Sequence, residues 1–161
     1  MTTFGRRGVA YRTSTNNSFY NNRIVSPGDI AVLYDATSAR NLLRDSYLSQ
    51  SNAYQVLVTN SNNMVLINNY IFRGGNSGFQ LDGDINGVSV VNNKIFHHPN
   101  NPGIVIYNNS FNHHLVGNQL FNNNRGISYN SVPSSYYAYT INNTFGVEQD
   151  NTTADIDFGP S

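Results

Sequence analysis

The chain of 161 residues has nine Lys and Arg against nine Asp and Glu, and charged residues are only 11% of it, which excludes charge-driven capture of nucleic acid or of an anionic membrane as its main activity. Cysteine is absent, so a disulfide framework, a thiolate metal site and a cysteine nucleophile are excluded too, and no apolar run reaches the roughly 20 residues of a membrane-spanning helix. The unusual component is asparagine, with 28 residues, and the 11 Tyr and 9 Phe beside it argue against simple disorder.

Taken in chain order, the elements repeat. Thr3-Phe4-Gly5 reads like Thr144-Phe145-Gly146, and Gly8-Val9-Ala10-Tyr11 like Gly103-Ile104-Val105-Ile106, so the chain is expected to enter a repeat part-way through, without an N-terminal cap. The phrase Asn21-Asn22-Arg23-Ile24 is followed by a polar turn and the apolar run Ile30-Ala31-Val32. Asp45-Ser46-Tyr47-Leu48 then leads to Val56-Leu57-Val58. A third run, Val65-Leu66-Ile67, precedes Asn68-Asn69-Tyr70-Ile71 and Phe79-Gln80-Leu81. The same order returns from Val88 through Asn92-Asn93-Lys94-Ile95 to Ile106, and from Leu115 through Asn118 and Leu120 to Tyr129. Tyr139-Thr140-Ile141, Asn142-Asn143-Thr144-Phe145 and the alternating Asp155-Ile156-Asp157-Phe158 complete it, with Gly159-Pro160 as a stop.

The second position of each phrase gives Asn22, Ser46, Asn69, Asn93, Asn118 and Asn143, spaced 24, 23, 24, 25 and 25 residues apart. Three short strands per period and no helical period predict an all-β, single-stranded parallel β-helix. It would be one domain over residues 1–161, with about six to seven coils of 23–25 residues. Stacked coils bring like residues about 4.8 Å apart, so that column becomes an internal amide ladder. Two residues on, Ile24, Leu48, Ile71, Ile95, Leu120 and Phe145 form a core column, and Phe72, Phe96 and Phe121 stack across three coils. Leu66, Val90 and Leu115 lie beside an equally apolar column, Ile67, Val91, Val116 and Ile141. A strand can send only one of the two inward, and the sequence does not choose. Gly78, Gly103 and Gly126 suit either a positive φ or a close backbone approach.

One position after the ladder, Arg23, Tyr47, Tyr70, Lys94, Gln119 and Thr144 are expected to point outward, with Arg73 and His97 near the same edge. Such a column could hold an extended polysaccharide, ring faces stacking on sugar C–H surfaces and the cations meeting hydroxyls or carboxylates. Outer strand positions also favour these residue types for β-propensity and solubility alone. For bond breaking the densest acids are Asp82 and Asp84, with Arg73 or Arg44 completing the candidate site and Asp35 or Asp45 brought near by stacking. A solvated turn accounts for Asp82-Gly83-Asp84 equally. The same pair offers oxygens of the kind calcium takes, and no other cofactor is implied. His97-His98 and His113-His114 fall on different corners of different coils and read as surface turn residues rather than zinc or copper ligands. The sequons at Asn16, Asn108, Asn142 and Asn151 are what this composition produces by chance.

The order of apolar strand, Asn-Asn-x-Ile, polar turn and Gly-Ile-x-Ile resembles the right-handed parallel β-helix repeat of the pectate-lyase-like superfamily over nearly the whole chain. Within it, Asn63 to Ile95 and Tyr136 to Ser161 are similar to the later coils of alginate (mannuronan) epimerase modules. The resemblance implies right-handed coiling, an extracellular or cell-surface location and an acidic polysaccharide as partner. The Asp-Pro-His stretch of the epimerases does not occur here, so a binding module stands first. A subunit of a fibre, self-assembling through end-to-end coil stacking, stands second, and a lyase or epimerase third. Nucleic acid and membrane insertion are not expected.

Overall fold

The computed structural model describes residues 7–146 and 154–158. The expected mid-coil entry at Thr3-Phe4-Gly5, the acids Glu148 and Asp150, the side chain of Asp155, the sequon at Asn151 and the stop at Gly159-Pro160 lie outside what is described. The first coil comprises β1 (Arg7–Arg12), β2 (Ser18–Tyr20) and β3 (Arg23–Val25), and the second β4 (Ile30–Asp35), β5 (Leu42–Arg44) and β6 (Tyr47–Ser49). The third has β7 (Val56–Thr59), β8 (Val65–Ile67) and β9 (Tyr70–Phe72). The fourth starts with β10 (Phe79–Asp82) and β11 (Ser89–Val91), and β12 (Lys94–Tyr107) then runs round a corner into the fifth. There β13 (His114–Val116) leads to β14 (Gln119–Asn130), which likewise turns into the sixth coil with β15 (Tyr139–Ile141) and β16 (Thr144–Phe145); β17 (Ala154–Asp157) opens a seventh. All pairings between these strands are parallel. One face consists of β1, β4, β7, β10, the second half of β12, the second half of β14, and β17. A second consists of β3, β6, β9, the starts of β12 and β14, and β16, and a third of β2, β5, β8, β11, β13 and β15. Gly8 to Tyr11 stack in register, Val9 on Val32 and Tyr11 on Tyr34.

The Asn-Asn doublet has two separate jobs. Its first residue turns the corner in the left-handed region, with φ of 54° at Asn21, 52° at Asp45, 56° at Asn68, 53° at Asn92, 66° at Gly117 and 53° at Asn142. Asn, Asp and Gly are the residues that tolerate that conformation best. Its second residue points inward. Asn93 Nδ2 donates to Leu66 O (2.8 Å) and to Asn118 Oδ1 (3.1 Å), while its own Oδ1 accepts from the Asn69 backbone N–H (2.8 Å) and Asn69 Nδ2 (3.0 Å). Asn118 repeats this on Asn143 and Val90 O, and Asn143 donates to Leu115 O. Ser46 keeps the column joined through its backbone N–H to Asn69 Oδ1 (3.1 Å). Buried amides thereby meet partners that burial would otherwise deny them.

The core settles which apolar column faces in. Leu43, Leu66, Val90 and Leu115 are fully buried, while Ile67, Val91 and Val116 are half-buried on the outside and Ile141 is exposed. The other core walls are Ile24, Leu48, Ile71, Ile95 and Leu120 on the second face and Val32, Val56, Phe79, Ile104 and Ile127 on the first. Each such side chain contributes about 1.5–3 kcal/mol by leaving water. Gly78, Gly103 and Gly126 do not have positive φ. Two of them are there for close approach, since a Cβ on Gly78 would lie 2.5 Å from Ile95 Cγ2 and one on Gly103 2.8 Å from Leu120 Cδ2.

Candidate functional site

The outer side of the second face is built by register. Arg23 pairs with Tyr47, Tyr47 with Tyr70, Tyr70 with Lys94, Lys94 with Gln119 and Gln119 with Thr144. Alternation puts Val25, Ser49, Phe72, Phe96 and Phe121 beside them as a second outer column. None of the strands of this face contains Asp or Glu. The side chains stack along the axis. The Arg23 guanidinium lies 4.5 Å from the Tyr47 ring centroid, Tyr47 and Tyr70 are parallel within 12° at 5.3 Å, and Lys94 Nζ lies 5.8 Å from Tyr70 and 5.0 Å from Phe121. Phe72, Phe96 and Phe121 stack at 5.0 and 4.7 Å. Arg73 and His97 follow at the next corner with φ of 56° and 62°. The Arg73 guanidinium sits 5.0 Å from Phe72, and the His97 ring 5.4 Å from Phe96.

This stacking corrects one expectation. The broad faces of Tyr47 and Tyr70 are covered by Arg23, by each other and by Lys94, so ring faces are not free for sugars. What they offer outward is ring edges and phenol hydroxyls. Phe96 and Phe121 are buried although they point away from the core, Phe96 because it is stacked between Phe72 and Phe121, and Phe121 with Phe96 on one side and the Lys94 ammonium over its ring.

The candidate catalytic set is not assembled. Arg73 stands at the corner after β9, whereas Asp82 ends β10 and Asp84 lies in the next corner, so the whole of β10 separates them. Asp35 lies in Asp82's column but two rungs away, about 10 Å, with Thr59 between, and Asp45 is on a different corner. Arg44 is held by Asp45 at 2.8 Å. Asp82 accepts from Asn108 Nδ2 (2.8 Å) and Gln80 Nε2 (3.3 Å), and Asp84 from Asn109 Nδ2 (3.1 Å), so both are tied into the corner. Sequence reasoning missed the surroundings of Asp82. Tyr107 follows it in register, and Tyr54 hydrogen-bonds Gln80; burial pushes the Tyr54 phenol above its ordinary range, with Tyr107 adding to it. The 25-residue step from Asp82 to Tyr107 was the available signal. Among the described residues, no group of three or more His, Cys, Asp or Glu is placed to hold a metal ion.

The histidines need a second correction: His98 and His113 are not surface residues but fully buried. The reason is that each occupies an inward column. The His98 backbone N–H and Nδ1 both meet Asn123 Oδ1, at 3.2 and 3.0 Å, as a ladder asparagine would, and His113 Nδ1 accepts the Val88 N–H at 3.2 Å. Burial lowers both to about 4.

A family model described as "Right handed beta helix region" matches residues 2–145. The chain belongs to the right-handed β-helix family. The match takes in every rung of the ladder from Asn22 to Asn143, and with the parallel three-faced solenoid it fixes the fold as an all-β right-handed helix. No curated protein and no solved structure matches the chain. Right-handed β-helices are often scaffolds for carbohydrate processing, which is as far as membership in the family reaches.

Proposed function

We propose that this β-helix is a carbohydrate-binding module that holds an extended, acidic polysaccharide along the outer side of its second face, parallel to the solenoid axis. The observation that carries the reading is the unbroken column Arg23, Tyr47, Tyr70, Lys94, edged by Arg73 and His97, on a face whose strands contain no carboxylate. Contact is by phenol hydroxyls, guanidinium and ammonium groups, so uronate carboxylates and sugar hydroxyls are recognised edge-on. The likeness to mannuronan epimerase coils supports the same class of ligand and a place at the cell surface or outside it. Titration calorimetry with a polyuronate and with an uncharged glucan tests it. The polyuronate should bind, the glucan should not, and Tyr47→Ala with Tyr70→Ala should weaken binding at least tenfold. Equal binding of the double variant overturns the track.

A second reading rests on the sheet edges. Among the described residues, β2 pairs only with β5 and β15 only with β13, so the third face ends in an edge strand on either side. Such edges are templates for another chain. In this reading copies stack end to end, and light scattering over a concentration series should show rods that a proline at Tyr20, whose N–H faces away from β5, prevents.

A further inference from the structure

We infer that Tyr47 and Tyr70 form an oxidative cross-linking site, at which a peroxide-dependent oxidant joins the two rings as an intramolecular dityrosine. The inference does not require a bound polysaccharide. Three pairs of tyrosine rings meet among the described residues: Tyr11 with Tyr34 at 5.1 Å, Tyr129 with Tyr137 at 4.5 Å and Tyr47 with Tyr70 at 5.3 Å. Tyr34 and Tyr129 are buried in the core, out of reach of an oxidant. Tyr70 is exposed and Tyr47 half-exposed, and their rings are parallel within 12°. Strand pairing fixes the two residues as direct neighbours, through Tyr47 on Tyr70 and Leu48 on Ile71, so the partner ring is present at high effective concentration.

Each phenol gives up one electron and one proton to the oxidant. The two phenoxyl radicals couple through ring carbons ortho to the hydroxyls, one carbon–carbon bond forms, and the two ring hydrogens return as phenol protons when the rings regain aromaticity. Hydrogen peroxide takes up the two electrons and two protons and leaves as two waters. The product ties the second coil to the third across a face otherwise joined by strand hydrogen bonds and stacking.

The test uses the full chain with hydrogen peroxide and a haem peroxidase. Trypsin leaves Asp45 to Arg73 as one segment holding Tyr47, Tyr54 and Tyr70. The expected product is that segment lighter by two hydrogens, with fragment ions missing between residues 47 and 70, blue dityrosine emission, and a yield independent of protein dilution. Tyr47→Phe and Tyr70→Phe, which keep the stacked rings, should each abolish it, and Tyr54→Phe should leave it. An unchanged Asp45 to Arg73 segment, a link through Tyr54, or links only between chains overturns the inference. Polyuronate affinity, titrated separately on the unoxidised protein, decides the binding reading independently.

Discussion

Acid should unfold this protein through two histidines. Asn123 Oδ1 can only accept, so His98 carries its proton on Nδ1, whereas His113 accepts at Nδ1 and carries its proton on Nε2. Both are neutral, and burial is the larger cause that lowers each from 6.5 to about 4; His97 and His114 beside them act in the same direction, and for His98 the bond to Asn123 opposes it. The unfolded chain takes up these protons near pH 6.5 and the folded chain only near 4, so protons in this window favour unfolding. Stability is therefore full above pH 6.5, falls as the pH drops towards 4 and levels off below. The slope is about 1.4 kcal/mol per pH unit for each ring, which by pH 5 is about 2 kcal/mol each and about 4 kcal/mol together. Urea unfolding at pH 7.5 and pH 5 should differ by about 2 M in midpoint, for a denaturant slope of about 2 kcal/mol per molar. His113→Met puts the side chain of Met64, two coils earlier in the same column, in its place, and His98→Asn restores a ladder amide above Asn123. The double variant should lose most of the difference. A wild-type midpoint that does not move between pH 7.5 and pH 5, or a double variant that moves as much, refutes the reasoning.

Asn93→Ala leaves the Asn69 N–H without a partner in the core and takes from Leu66 O the second of its two donors, the ladder N–H of Val91 remaining, and at about 1–3 kcal/mol for the stranded group the cost in urea unfolding should be about 1–3 kcal/mol. Ile95→Ala, in the core beside it, should cost about 2–5 kcal/mol. Gly103→Ala should cost about 1–3 kcal/mol through overpacking on Leu120, measurable as a lower melting temperature. At Asn92, with φ of 53°, Ala should cost about 1–2 kcal/mol and Gly should be tolerated, a contrast that separates corner conformation from side-chain bonding. Binding of polyuronate by the second face should weaken as salt rises, since its cations are at the surface.

The period, the coil count and the amide ladder were legible because stacking repeats a position's chemistry every coil, and Asn22 to Asn143 differ only at Ser46. The double role of Asn-Asn was half legible: both residues recur, but that one turns left-handed while the other points inward follows only from the backbone. The choice between Leu66 and Ile67 could not be made, since both columns are apolar and only the placement of the corner decides. His98 and His113 were misread because adjacent polar pairs suggest a turn, whereas each pair here straddles the wall, one ring inside and its neighbour out. For the candidate site, the outward column was legible from its offset to the ladder. The covered ring faces were not, because the 4.8 Å coil spacing that aligns Tyr47 with Tyr70 also lets the rings close on each other and on Arg23.

The ladder also has a sense. From Ser46 to Asn69, Asn93, Asn118 and Asn143, each backbone N–H donates to the side-chain oxygen of the following coil, never the reverse. The amide dipoles thus lie head to tail, and each polarises the next. A coil grafted into the middle continues the side-chain ladder only if it supplies at this rung a residue that accepts from the coil before it and donates to the coil after it; Ser46, whose hydroxyl turns back to Arg44 O, passes on only its backbone N–H. Asparagine does both; aspartate accepts but would set its carboxylate against the next carbonyl oxygen, and leucine does neither. The ladder thus constrains any inserted coil by its direction as well as by the register of its strands.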